Sequence, residues 1–144
     1  MNVSALLFIS VINFLNIFSK DGIEKTWYNT DKTAKIQVYK ASDGKYYGKI
    51  IWLSEPDENG KPKTDKENPD ASKKSSPILN LVILKNFTQN SSSPNVFEGG
   101  TVYDPDSGKT YCGKLTLNGN QLKLKGFLCS ISWLGRSEVW TAAE

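Results

Sequence analysis

Beyond residue 33 apolar and polar side chains alternate in short runs. Ala34, Ile36 and Val38 alternate with Lys35, Gln37 and Tyr39; after ASDG, Tyr46, Gly48, Ile50 and Trp52 alternate with Tyr47, Lys49, Ile51 and Leu53. A period of two is the mark of strands with one buried face, and two such runs around a short glycine-containing loop predict a hairpin. A loop made of Ser42, Asp43 and Gly44, with Gly44 at the positive φ of a bulge, pairs Ala41 with Lys45. Val38 then opposes Gly48 and Ile36 opposes Ile50, so both apolar sets share a face, and continued alternation puts Trp52 there with Tyr46.

The same pattern recurs toward the C-terminus. With a loop at 118–121, Leu117 meets Leu122, Leu115 meets Leu124, Gly113 meets Gly126 and Tyr111 meets Leu128, while Lys114 with Lys125 and Thr116 with Lys123 form a solvent-facing row. Facing glycines at 113 and 126 are expected where strands bend. Further strands are predicted at 78–87, 96–103, 109–117, 122–129 and 136–142, with one near Trp27. Eight short antiparallel strands and little helix imply an all-β fold, an up-and-down barrel or a sandwich, and the last hairpin favours the antiparallel barrel. A long polar connection runs from Ser54 to Pro77. In it Asn68 is expected to cap one short helix, with Pro69 at its first position and Asp70 near the positive end of the dipole.

Composition narrows the chemistry. The chain has 144 residues, one domain's worth, and contains no histidine. That removes imidazole as base and as metal ligand, and with it serine triads and HExxH sites. The net charge of +3 is spread among dispersed lysines, so nucleic-acid binding is not expected. Residues 3–18 are mostly apolar, no charged side chain precedes Lys20, and the run is shorter than the roughly 20 residues that span a bilayer. It reads as a signal peptide over residues 1–19 preceding a single domain at 20–144, with an uncleaved anchor as the rival. Export places the protein in the periplasm or outside the cell, with no stable membrane span once the signal is removed. Cys112 and Cys129 come out as diagonal neighbours on the last hairpin. Their separation sits near the ~7 Å Cα limit for a bridge, so a disulfide and free thiols both stay open.

Two acidic stretches resemble sites and read better as backbone devices. In Tyr103-Asp-Pro-Asp-Ser-Gly-Lys109, Pro105 supplies the φ of a type I turn, Asp104 accepts a backbone N–H inside it, and Gly108 takes the left-handed exit. Asp104 and Asp106 are therefore expected in a solvated bend, not as a catalytic pair. Asp65, Asn68 and Asp70 lack the spacing of a calcium loop, and no metal or cofactor is expected. Glu98 is the carboxylate whose strand position leaves its facing open.

The ordered set I-x-x-x-W at Ile23, YYGKIIWL, D-x-x-N-P-D at Asp65, PILNLVIL, F-E-G-G-x-x-Y-D-P-x-S-G-K-T-Y at Phe97, Lys125-Gly126 and L-G-R-x-E-x-W at Leu134 is similar to DUF2147, a family of small exported bacterial proteins of unknown function. The resemblance runs from about Ile23 to Thr141. It implies an eight-stranded lipocalin-like barrel and no assigned reaction. It also implies that Trp27 on the first strand is covered by Arg136 from the last, a structural contact. The chain departs from the pattern at Lys25 and Asn80, where glycine is usual, and at Lys125, where arginine is commoner. The expected function is a non-catalytic carrier of a small hydrophobic molecule, with Tyr46, Ile50, Trp52, Tyr111, Leu115 and Leu124 as wall residues. The same residues also fit a filled barrel that binds an envelope protein through its surface. An enzyme working without histidine is the remaining reading, and it is not expected.

Overall fold

The computed structural model describes residues 22–143; the expected signal peptide lies outside the described residues. The elements are β1 (Thr26–Tyr28), β2 (Ala34–Lys40), β3 (Tyr46–Leu53), β4 (Asp57–Glu58), β5 (Lys61–Pro62), a 3-10 turn (Ala71–Lys73), β6 (Val82–Gln89), β7 (Val96–Asp104), β8 (Lys109–Asn118), β9 (Gln121–Leu128) and β10 (Ile131–Ala142). Eight strands close into an antiparallel barrel in the order β1-β10-β9-β8-β7-β6-β3-β2, and β4 with β5 forms a small separate hairpin. The strand expected from residue 78 starts at Val82, because the chain still turns at Asn80 (φ 71). Asparagine is among the side-chain-bearing residues that enter that left-handed conformation most readily, and the positive φ accounts for glycine being usual at this position in the resembling pattern.

Both predicted hairpins have the expected register. Val38 pairs with Gly48 and Ile36 with Ile50, Ala41 N–H donates to Lys45 O at 2.9 Å, and Gly44 has φ 80. Across β8 and β9, Leu115 pairs with Leu124, Leu117 with Leu122 and Lys114 with Lys125. The 104–109 turn also forms as expected: Asp104 Oδ1 accepts from Asp106 N at 3.0 Å, Gly108 N donates to Asp104 O at 2.8 Å, and Gly108 has φ 70.

Three expectations are corrected. Trp52 faces outward: Ile36 pairs with Ile50 but Lys35 pairs with Trp52, so a bulge at Ile51 reverses the alternation and turns Leu53 inward instead. Trp52 is 38% exposed, edge-on to Tyr28, with Lys35 Nζ 5.1 Å from its ring centroid. Asn68 does not cap the short helix; Asp70 does, accepting from Ser72 N, because Asn68 Oδ1 is taken by Asp70 N at 2.9 Å and its amide turns to Asp65. Arg136 does not cover Trp27. Trp27 pairs with Ala142 whereas Arg136 pairs with Gly126, which separates them by ~20 Å along β10. Lys25 Nζ lies 5.9 Å from the Trp27 ring instead, and Trp27 Nε1 donates to Ile23 O at 3.0 Å.

Gly113 and Gly126 face each other as expected, but their surroundings differ. Gly113 and its partner Gly100 make room for one ring: a Cβ on Gly100 would lie 2.5 Å from Phe87 Cδ2, and one on Gly113 would lie 2.8 Å from Phe87 Cζ. At Gly126 the nearest atom would be Tyr111 Cβ at 3.7 Å, ordinary contact. So Gly113 answers to packing, and Gly126 leaves open space. Chemical unfolding should separate them: Gly113→Ala is expected to lose about 1–3 kcal/mol through overpacking, and Gly126→Ala less than about 1 kcal/mol.

Candidate functional site

The connections alternate between the two barrel ends. One end holds the turns at 41–45, 90–95 and 119–120 and is filled. Trp27, Tyr46, Phe87, Phe97, Leu115 and Leu122 are buried there with Ile23 from the entering chain, and Tyr46 meets Phe97 edge to face at 4.9 Å. Connections at 29–33, 54–81, 105–108 and 129–130 surround the other end. There the barrel opens into a cavity of about 1130 Å³.

Its walls are aliphatic where they are deepest: Ala34, Ile36, Ile50, Ile83 and Leu124 are buried yet line the space, with Val102 and Trp140 beside them. Of the six expected wall residues, Ile50, Tyr111 and Leu124 border the cavity. Tyr46 and Leu115 belong to the packed end, and Trp52 lies outside the barrel. Glu98 faces solvent, accepting from Asn90 Nδ2 at 2.7 Å.

Sequence reasoning missed the polar groups on the inner face of β10. Arg136, Glu138 and Trp140 border the cavity, opposite Gly126, Leu124 and Leu122 in register. The signal was present in R-x-E-x-W, whose period of two puts all three on one face. Trp140 Nε1 donates to Glu138 Oε2 at 3.2 Å, which draws that carboxylate toward the floor.

A buried carboxylate ties the long connection across the mouth. Asp65 is 1% exposed and is the buried charged residue among those described. Tyr103 Oη donates to its Oδ1 at 2.7 Å and Asn68 Nδ2 to its Oδ2 at 2.8 Å. Asp65 N–H adds a bond to Ser76 O at 2.8 Å. The next contact is a backbone one: a Cβ on Gly108 would sit 1.9 Å from Glu67 O, so the 105–108 turn packs directly on this connection. Burial, together with the hydrogen bond to Asp65 and the charges of Asp65 and Asp104, pushes the Tyr103 hydroxyl up to about 12. Among the described residues no group of three or more acidic or cysteine side chains is placed to hold a metal.

Cys112 and Cys129 form a disulfide with Cα atoms 5.1 Å apart, at the mouth end of β8 and β9. The β10 side of that hairpin is apolar and exposed, with Trp133 80% accessible.

A family model described as an uncharacterized protein conserved in bacteria, DUF2147, matches residues 25–142. The chain belongs to the DUF2147 family. Among curated proteins none matches it. Among solved structures it is similar to protein HP1028 from Helicobacter pylori, described as belonging to the lipocalin family, with 19% identity, a TM-score of 0.72, and coverage of 85% of this chain and 83% of that one. That likeness establishes a lipocalin-like barrel. In this DUF2147 chain the D-x-x-N-P-D and Y-D-P segments meet in one hydrogen-bonded cluster, and R-x-E-x-W lines the cup.

Tyr103→Phe is expected to lower stability by about 1–3 kcal/mol at neutral pH, since it leaves a buried carboxylate oxygen without its donor. A hydroxyl raised in the folded state contributes stability that is complete below its ordinary value of 10.0 and is lost as pH rises toward 12. The gap between wild type and variant should therefore be constant from pH 7 to about 10 and close above it, as urea unfolding at pH 7, 9 and 11 would measure.

Proposed function

We propose that this protein is a non-catalytic carrier of a small apolar ligand in the bacterial envelope, periplasmic or secreted. The observation that carries the reading is the half-filled barrel. Large aromatic side chains close one end, while the other keeps about 1130 Å³ bordered at depth by aliphatic residues. An interior of this kind is what eight-stranded barrels use to hold one small molecule, and dry aliphatic walls favour apolar guests at about 25 cal/mol per Å² removed from water. The lipocalin-like fold supports the same reading. A binding role without catalysis is supported by the lack of histidine and by the engagement of Asp65, Asp104 and Glu138 in hydrogen bonds that shape the protein. Export is supported by the apolar N-terminal run and by the Cys112–Cys129 bridge, since disulfides persist in oxidising compartments.

A second reading rests on Trp133 and Leu134, exposed beside the disulfide. An exposed aromatic on a braced hairpin suits contact with an envelope protein. The two readings part in a single experiment. Protein purified from its native compartment is expected to carry an apolar molecule in native mass spectrometry. Leu124→Trp, which puts an indole into the apolar depth of the cavity, should reduce its retention at least about tenfold, while Trp52→Ala, outside the barrel, should leave it unchanged. An empty barrel that ignores apolar fluorescent probes would sink the carrier reading and favour the surface one.

A further inference from the structure

We infer that the cavity recognises an amphiphile with a singly charged anionic head, bound at the level of Arg136 and Tyr111, with its apolar chain toward Ile36, Ile50 and Leu124. This rests on the carrier reading and specifies its ligand. Of the chain's 18 basic residues, Arg136 is the sole arginine, and it borders the cavity. Its register partner is Gly126, and the atom nearest to a Cβ built on Gly126 is Tyr111 Cβ, so Arg136 and Tyr111 are the residues on either side of one vacant position on the wall. Neither side chain has a hydrogen-bonding or ion-pairing partner among the described residues. The nearest carboxylate along the strand, Glu138, is drawn to Trp140. A planar fork of donors at the mouth of an aliphatic cup, with a phenol on the same wall, matches a carboxylate or a similar oxyanion.

The other charges around the cavity shape the choice. Lys66 is held by Glu58 at 3.0 Å and Lys63 approaches Glu55 at 3.9 Å. Asp104 is occupied within its own turn. Glu67 and Asp106 add negative charge at the mouth. Among the described residues bordering the cavity Arg136 is the cation with no carboxylate partner, and the acidic rim around it weakens the hold on any anion, most of all on multiply charged heads. Depth fixes the orientation: Arg136 lies closer to the open end than Glu138 and Trp140, so the head sits near the mouth and the tail below it.

The test displaces the uncharged probe N-phenyl-1-naphthylamine with dodecanoate, dodecanol and dodecyltrimethylammonium, which share a chain length and differ in head charge. Dodecanoate is expected to bind at least about tenfold more tightly than dodecanol. Arg136→Met should bring that ratio close to one, and Tyr111→Phe should lower it in part; the second variant keeps the test decisive if the first fails to fold. Equal affinity for acid and alcohol, preference for the cation, or a ratio that survives both substitutions would overturn the anionic head while leaving the carrier reading intact. Failure of the probe and all three amphiphiles to bind would count against the carrier reading itself.

Discussion

A closed sheet of eight strands encloses a space that side chains can either fill or leave open to one small molecule, so its interior depends on where the large rings are placed. Here they gather at one end. Phe87 of β6 lies over Gly100 and Gly113 of the next two strands, whose missing side chains make way for it, and Tyr46 and Phe97 meet edge to face beside it. Trp27 completes the plug, its indole N–H satisfied by Ile23 O so that the ring is buried without an unpaired donor. Toward the other end the inward positions of β2, β3 and β6 are Ala34, Ile36, Ile50 and Ile83, too small to meet across the barrel. The cup follows from this asymmetry of side-chain volume.

An open end needs its loops held, and that falls to Asp65. A carboxylate that is 1% exposed is costly unless fully bonded; the bonds from Tyr103 and Asn68 meet that condition and join residues far apart in sequence. The close packing of Gly108 on Glu67 O adds a contact that only glycine permits. The long connection is thus secured to the β7–β8 turn at two adjoining points, and its exposed remainder runs over the rim. A polar stretch that resembles a metal loop in sequence works as a clasp.

Much of the fold was legible because period-two alternation and turn chemistry are local. The register of the 36–50 hairpin, the 104–109 turn and the β8–β9 pairing all follow from local alternation and turn chemistry. What failed did so through parity or distance. One extra residue at Ile51 sends Trp52 outside, and no side chain nearby announces it. Asn68 had two plausible local partners, and the choice was made by Asp65, whose burial depends on Tyr103 from a remote strand. The Trp27–Arg136 contact came from resemblance alone, and the register of β10 against β1 rules it out. Tyr46 and Leu115 point inward yet miss the cavity, because alternation tells inside from outside but not the filled end from the open one.

The position of Arg136 illustrates how the polar part of the cup is built from constraints that lie outside it. The β9–β10 pairing slips between Ile131 and Gly135, which frees the segment bearing Trp133 and Leu134 to project. The ladder resumes at Gly135, where a Cβ would fall 2.2 Å from Gly126 O; only a residue without a side chain allows the strands to rejoin there. From that point alternation carries Arg136, Glu138 and Trp140 inward. On the opposite edge of the same hairpin the Cys112–Cys129 bridge ties β9 to β8, so the strand carrying Gly126 is braced from both sides. A guanidinium on a mobile tip would lose binding energy to ordering. Arg136 instead stands on a strand whose backbone is fixed by a close glycine contact and a nearby disulfide.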